Sequence, residues 1–184
     1  EYEKAGGSLK LSGKSVNIHS EGVGSVYGAL FASNDLSPVK KSALTIEADT
    51  ITIKAVSKNE TTSSSGIVAM SAGDVKVAGN TVISADSALV ARGDASIVIN
   101  KDGKHWTQMN GDVEFNYDGP TSGTAVNANI DVTLAGANSF WNGSTLVSWN
   151  GLPADGADSS KLTVSDMELT VKAVSYTHLT LPTN

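Results

Sequence analysis

The chain contains no cysteine among its 184 residues, and aromatic residues make up only 5% of it. Without cysteine the protein forms no disulfide bond, which fits a protein of a reducing compartment and also an exported protein that crosses a membrane unfolded. The aromatic side chains are few for an ordinary globular core, whereas Val, Ala, Gly, Ser, Thr and Asn are abundant. This balance indicates small side chains stacked in narrow layers.

Long apolar runs and basic stretches are also missing from the sequence. No run approaches the roughly 18 apolar residues that a membrane-spanning helix needs. The net charge is -6 and no stripe of Lys and Arg occurs, which argues against nucleic-acid binding. With 17% charged and 40% hydrophobic residues, the composition indicates a folded chain, and its length fits one domain.

What the chain does contain is a short pattern written twice between residues 66 and 100. Each copy is a set of very short apolar runs separated by Gly, Asp, Asn and Ser. The second copy follows the first by about 21 residues, a spacing within the range of solenoid repeats. On this spacing, Gly73-Asp74 of the first copy is expected to correspond to Gly93-Asp94 of the second.

Alternating apolar residues along the chain predict three sets of stacked strands. The sets are residues 16–18, 51–53 and 82–83; residues 29–31, 67–69 and 88–90; and residues 44–46, 75–77 and 97–99. No segment has a sustained helical period, so the fold is expected to be all-β. The prediction is a right-handed parallel β-helix, a fragment of a longer β-solenoid, over residues 8–173, with residues 1–7 as a frayed edge. After residue 100, Asn-Gly and Asp-Gly pairs keep a sandwich of hairpins open as an alternative.

A more specific signal lies towards the C-terminus. Alternating residues 126–134 are followed by residues 136–143, Gly-Ala-Asn-Ser-Phe-Trp-Asn-Gly. This combination resembles the passenger region of bacterial autotransporters, in which Asn-Ser-x-Trp-x-Gly segments recur between solenoid strands. The resemblance covers roughly residues 8–173, and its motifs are compositional rather than catalytic.

The resemblance implies a structural and adhesive stalk at the cell surface, exported through the outer membrane of a Gram-negative-type bacterium. Such a stalk presents loops, here residues 59–65 and 101–110, to a host-cell surface, an extracellular-matrix protein or a glycan. No cofactor and no nucleic acid are implied. Membrane contact is expected only through the C-terminal β-barrel of that family, which is not within this sequence.

The last residues, 174–184, differ from everything before them. Residues 174–183 read Val-Ser-Tyr-Thr-His-Leu-Thr-Leu-Pro-Thr, which are the residues encoded by GTC TCT TAT ACA CAT CTG ACG CTG CCG ACG. That codon string resembles a sequencing adapter used in transposase-based library preparation. We therefore treat this segment as an artefact with no native domain and exclude it from the functional argument.

Residues suited to catalysis are sparse. Outside the tail the only histidines are His19 and His105, and no Gly-x-Ser-x-Gly motif is present. Two distant histidines without cysteine make no recognisable zinc spacing. The sequence therefore predicts no catalytic residue, no metal site and no enzyme.

Two carboxylate pairs keep an enzyme open as the alternative, namely Asp112 with Glu114 and Asp155 with Asp158. Paired carboxylates flank the sugar in glycoside hydrolases, so a β-helix polysaccharide lyase or glycoside hydrolase is one alternative function. A carbohydrate-binding protein like a phage tail-spike is another, and it predicts a trimer.

Arg92-Gly93-Asp94 matches the tripeptide of integrin ligands. The preceding copy of the repeat carries Ala72-Gly73-Asp74, so the sequence favours Gly-Asp as a corner of the coil, with only Arg92 as an addition. Integrin contact by these three residues is kept as a second interpretation.

The remaining ligand candidates are aromatic residues and two short motifs. Trp141 and Trp149, with Phe140, are candidates for a carbohydrate-stacking platform, or for residues that fill or cover wide coils. Residues 59–61 and 142–144 match the Asn-x-Ser/Thr glycosylation sequon. From the sequence alone we interpret both matches as incidental in a bacterial protein.

Overall fold

The computed structural model of the chain describes residues 7–32, 42–70, 73–117, 128–149 and 161–165. Within these ranges all regular structure is β-strand. No helix long and apolar enough to cross a membrane is found in them. The strands are β1 (Ser8–Gly22), β2 (Val26–Ala32), β3 (Ser42–Ser57), β4 (Ser64–Met70), β5 (Gly73–Arg92), β6 (Ser96–Ile99), β7 (Thr107–Tyr117), β8 (Asn129–Thr133), β9 (Phe140–Asn142), β10 (Thr145–Trp149) and β11 (Lys161–Ser165).

Every pairing between the described strands is parallel, and these strands form three ladders in one unclosed sheet. Long strands such as β3 and β5 turn a corner and contribute to two ladders, so that successive coils lie on one another. The first ladder stacks Leu9, Leu44, Val75, Ile97, Ile130 and Leu162. The second stacks Ile18, Ile53, Ile83, Met109 and Trp141. The third stacks Ala29, Ile67, Leu89, Val113 and Thr145. The architecture is β-solenoid-like.

The three predicted sets of strands are the three ladders, with one correction. In the third ladder Ile67 lies opposite Leu89, so the segment paired with residues 67–69 is residues 89–91 and not the predicted 88–90. The register of β5 with the following strand β7 also shifts around Ser87, where β5 enters the third ladder. A bulge of one residue is invisible to a pattern that counts only apolar positions.

The parallel pairing continues past residue 100. Strands β7 to β11 all pair in parallel with strands of neighbouring coils, including β10 with β7 and β11 with β8. Among the described residues no hairpin pairing takes its place. The interpretation of this half as a sandwich of hairpins is therefore wrong for these strands.

The core is a column of small aliphatic side chains, as the composition indicates. Alternate residues of β3 and β5 are buried, and Ile46, Ile53, Ile83 and Ile97 have no exposed surface. Of the described aromatic side chains, Phe115 belongs to this core and Trp141 packs against it. Parallel coils about 4.8 Å apart leave room for narrow layers of Ile, Val, Leu and Ala rather than for stacked rings.

The third ladder departs from simple alternation, because six consecutive residues of β4 are buried. Ile67 and Ala69 belong to the central core, whereas Val68 and, in the next coil, Val90 are 1% and 2% exposed without belonging to it. Strands buried on both faces have continuous apolar runs, and residues 67–70 are such a run.

A buried polar cluster fixes the corner between the first and second ladders. Asn100, only 1% exposed, adopts a left-handed φ of 51°. Its side chain accepts a hydrogen bond from the N–H of Gly79 (2.9 Å) and donates to the carbonyl of Gly79 (2.8 Å) and to Oγ1 of Thr107 (2.8 Å). The corner removes the N–H and the carbonyl of Gly79 from the ladder, and both groups form hydrogen bonds with Asn100 inside the coil instead.

Candidate functional site

The predicted tripeptide Arg92-Gly93-Asp94 lies at the corner where β5 ends. Gly93 has a φ of 65°, the left-handed conformation that the sequence assigns to a corner glycine. Arg92 is partly buried, and its Nε is inaccessible to solvent without a hydrogen-bond partner in the described part of the chain. Asp94 is exposed. Arg92 is therefore the partly buried last residue of β5, and Gly93 and Asp94 form the turn that follows it.

The expected correspondence between this turn and Gly73-Asp74 is wrong. Asp74 pairs with Ser96 rather than with Asp94, and Gly73 is the first residue of β5. In the observed register Val75 stacks on the buried Ile97 and Val77 on the buried Ile99. A shift of two residues would keep the same faces but would place Val75 over the smaller Ala95. The repeat therefore does not account for Gly93-Asp94.

The aromatic candidates do not lie on one surface. Trp141 stands in the inward row beside Met109, packs against the core, and donates its Nε1–H to the carbonyl of Gly111 (3.0 Å). Its neighbour Phe140 is 40% exposed, on the opposite face of β9. The backbone of Trp149 pairs with Tyr117, and its side chain lies outside the described residues.

The candidate carboxylates of β7 face different coils. Asp112 accepts hydrogen bonds from the N–H and the hydroxyl of Ser144 in the following coil, both at 2.8 Å. Glu114 accepts a hydrogen bond from the hydroxyl of Ser87 in the preceding coil. Each carboxylate therefore forms hydrogen bonds with a neighbouring coil, Asp112 with the following one and Glu114 with the preceding one. Asp155 and Asp158 lie outside the described residues, as do residues 174–184.

The two histidines are separated along the coil. His19 is exposed on β1, with Nε2 at 3.7 Å from a carboxylate oxygen of Glu21. His105 is half-buried in the corner before β7. No group of three or more His, Cys, Asp or Glu side chains that could hold a metal ion is found within the described ranges.

A concave surface is formed at the loop between β3 and β4. An open depression of about 460 Å³ is formed there. The residues lining it are Ser57, Lys58, Asn59, Glu60, Thr61, Thr62, Ser63 and Asp86. The sequence predicts a presented loop at residues 59–65, and the structure confines it to residues 58–63, since Ser64 and Ser65 already belong to β4.

Hydrogen bonds within the loop hold its shape. Oδ1 of Asn59 accepts from the N–H of Thr61 (3.1 Å) and from its hydroxyl (2.9 Å). The hydroxyls of Ser57 and Thr62 lie 2.7 Å apart, and the N–H of Thr62 donates to the carbonyl of Asn59 (3.1 Å). Asn and Thr stabilise turns in this way when they bond to the backbone two residues on.

Charge at the base of the loop comes from an ion pair with the first coil. Nζ of Lys58 lies 2.5 Å from Oε1 of Glu21. The hydrogen bond and the charge of Lys58 lower the pKa of the Glu21 carboxyl, and the charges of His19 and Lys54 act in the same direction. Both partners are well exposed, so the pair orients the side chains more than it stabilises the fold.

Asp86 is the residue of this depression that sequence reasoning does not find. Its Oδ2 accepts hydrogen bonds from the N–H and the hydroxyl of Ser64, both at 2.8 Å, and its carboxylate borders the depression. Asp86 and Ser64 are 22 residues apart, so only the stacking register brings them together. The resulting site offers hydroxyl, amide and carboxylate groups, which suit a polar, uncharged or cationic ligand rather than an apolar one.

No protein-family model matches the chain, and neither a curated protein nor a solved structure is significantly similar to it.

Proposed function

We propose that the chain is a structural and adhesive segment of a stalk on an exported bacterial surface protein, wound as a right-handed parallel β-helix. The observation that carries the proposal is the continuous parallel register of three ladders, in which Leu9 to Leu162 of the first ladder form one stack. Coils that stack in register resist bending and stretching along their axis, because every coil is bonded to the next.

The adhesive part of the proposal rests on the depression at residues 58–63. The loop is polar, and it is held in shape by the bonds of Asn59, so that little ordering entropy opposes the binding of a ligand. Hydroxyl and amide groups at such a site favour a glycan or a polar protein segment on a host cell or in the extracellular matrix.

Binding is tested with the purified chain on an array of glycans and extracellular-matrix proteins. We expect a ligand to bind, and to be lost when residues 58–63 are replaced by a Gly/Ser linker of equal length. The control replaces Lys10 and Glu47, an exposed ion pair between β1 and β3 and outside both predicted loops, by alanine, and it retains binding. An intact chain that binds nothing on the array contradicts the adhesive role.

Further measurements separate the alternatives. Cleavage of a polysaccharide by the purified chain indicates the lyase or glycoside hydrolase function in place of the stalk. A trimer in sedimentation equilibrium indicates the tail-spike-like function. A crystal structure with left-handed winding overturns the proposed β-helix while leaving the three parallel ladders intact.

A further inference from the structure

We infer that Asn59 is a site of N-glycosylation in the folded chain, and that the second sequon, at Asn142, is not. The inference rests on the geometry of the two sequons, and it concerns the same loop as the proposed adhesive site, since Asn59 lines the depression. The ligand class is an activated sugar, a glycosyl diphosphate carried by a nucleotide or a lipid, which an asparagine-specific glycosyltransferase delivers.

Access is the first requirement, and the loop before β4 meets it. Asn59, Glu60 and Thr61 are all exposed and lie outside any strand. A transferase must enclose the asparagine and the hydroxyl residue two positions on, which demands backbone that is free of ladder hydrogen bonds. Exposed loops between rigid strands are where such backbone is found.

The second requirement is the arrangement of the Asn59 amide. Its Oδ1 accepts hydrogen bonds from both the N–H and the hydroxyl of Thr61 (3.1 and 2.9 Å). Its Nδ2 makes no hydrogen bond with the described residues, so the nitrogen that receives the sugar is accessible. Two donors at Oδ1 favour the form in which Nδ2 loses a proton and negative charge moves to the oxygen.

In the proposed sugar transfer one bond forms, one bond breaks and one proton is removed. The Nδ2–C1 bond forms as the bond between C1 of the sugar and the diphosphate oxygen breaks, and the electron pair leaves with the diphosphate. The Nδ2 proton passes to a base of the transferase. No oxidant or metal from this chain takes part.

The sequon at Asn142 also has an exposed asparagine, but it differs in its backbone and in its hydrogen bonds. Asn142 lies in strand β9, and its Nδ2 donates to Oδ1 of Asn110 in the coil before (3.5 Å). The hydroxyl and the N–H of Ser144 both donate to Asp112 (2.8 Å). A transferase can engage this sequon only after β9 has left the sheet.

The test uses the full chain, a soluble asparagine glycosyltransferase that recognises Asn-x-Ser/Thr, and UDP-glucose as the donor. Peptide mass spectrometry measures hexose at each asparagine in the folded chain and in the same chain unfolded in urea that the transferase tolerates. We expect Asn59 to be modified at least about tenfold faster than Asn142 in the folded chain, and at a similar rate in the unfolded one.

Variants distinguish the effect of the fold around each sequon from the effect of the sequon residues themselves. Asn59→Gln removes the product and Thr61→Ser retains it, since serine keeps the hydroxyl. Asp112→Asn weakens the acceptor that holds Ser144 and raises modification of Asn142 in the folded chain. Equal rates at the two asparagines in the folded chain overturn the inference, as does a folded chain left unmodified at Asn59 when its unfolded form is modified there.

Discussion

Single polar residues decide how this coil turns its corners. Asn100 carries a backbone conformation that few residues tolerate, and its amide bonds to both backbone groups of Gly79. Inside the coil, water does not replace a lost partner at low cost. The corner therefore depends on one side chain more than on the residues around it.

Replacing Asn100 by glycine tests this dependence, because glycine keeps the left-handed φ and removes only the amide. The N–H of Gly79 loses its partner, and we expect the free energy of unfolding to fall by about 2–3 kcal/mol in urea denaturation. The same replacement at the exposed Asn138 changes it by less than about 1 kcal/mol. Equal effects at the two positions would mean that the buried bonds contribute nothing.

The ion pair of Glu21 and Lys58 gives a pH prediction at the same scale. Lys58 lowers the pKa of Glu21, so this pair stabilises the fold above the ordinary pKa of glutamate, and the contribution is lost as the pH falls through the lowered pKa. We expect Lys58→Met to raise the pKa of Glu21 in an NMR titration.

Asp102 supplies the control for that titration. Its pKa is lowered first by a hydrogen bond from the backbone N–H of Lys104, which Lys58→Met leaves in place. An unchanged Glu21 pKa in the variant would show that the pair does not form in solution.

At the scale of elements, the spacing of the third ladder depends on close contacts between strands. A Cβ on Gly66 of β4 would lie 2.6 Å from the carbonyl oxygen of Ala88 and 2.6 Å from Cγ2 of Ile83. Neither can move freely, since the first is backbone in the next coil and the second is a fully buried core side chain. The glycine is therefore required by the close approach of β4 and β5 at the start of this ladder.

Gly66→Ala is expected to lower the free energy of unfolding by about 2–3 kcal/mol, because a strand must shift to admit the methyl group. The matched control is Gly13→Ala in β1, where a Cβ meets nothing within 4 Å, and its effect stays within about 0.5 kcal/mol. Urea denaturation followed by circular dichroism measures both. A Gly66→Ala chain as stable as the original would show that β4 and β5 move apart here without cost.

At the scale of the whole molecule, stability is distributed along the stack of coils. Side chains in the central coils are buried between two neighbours, whereas Leu9 in β1 is 50% exposed. Repeats that contact only their neighbours contribute stability through each interface, so the interior coils are held from both sides.

Two substitutions in the same stack of the first ladder test this distribution. Ile97→Ala, at a position with no exposed surface, is expected to lower the free energy of unfolding by about 3–4 kcal/mol. Leu9→Ala removes a side chain already half in water and costs under about 1 kcal/mol. Similar losses at the two positions would indicate that β1 is covered in solution, and hydrogen exchange of its amides would then be slow.

The sequence by itself determined the strand character, the parallel winding before residue 100, two of the three strand sets in register, and the polar loop after β3. These properties are local, since they follow from the alternation of apolar residues and from the residues that break it. The right-handed winding, the surface function and the integrin and carbohydrate contacts remain predictions.

Only the tertiary structure decided which residues of different coils meet. It placed Asp74 opposite Ser96, set Trp141 into the inward row, carried parallel pairing past residue 100, and brought Asp86 to the depression beside Ser64. The physical reason is that register is fixed by the packing of whole coils, in which one bulge or one corner residue shifts every later partner. Alternation along a strand shows which face is buried but not which coil lies beneath it.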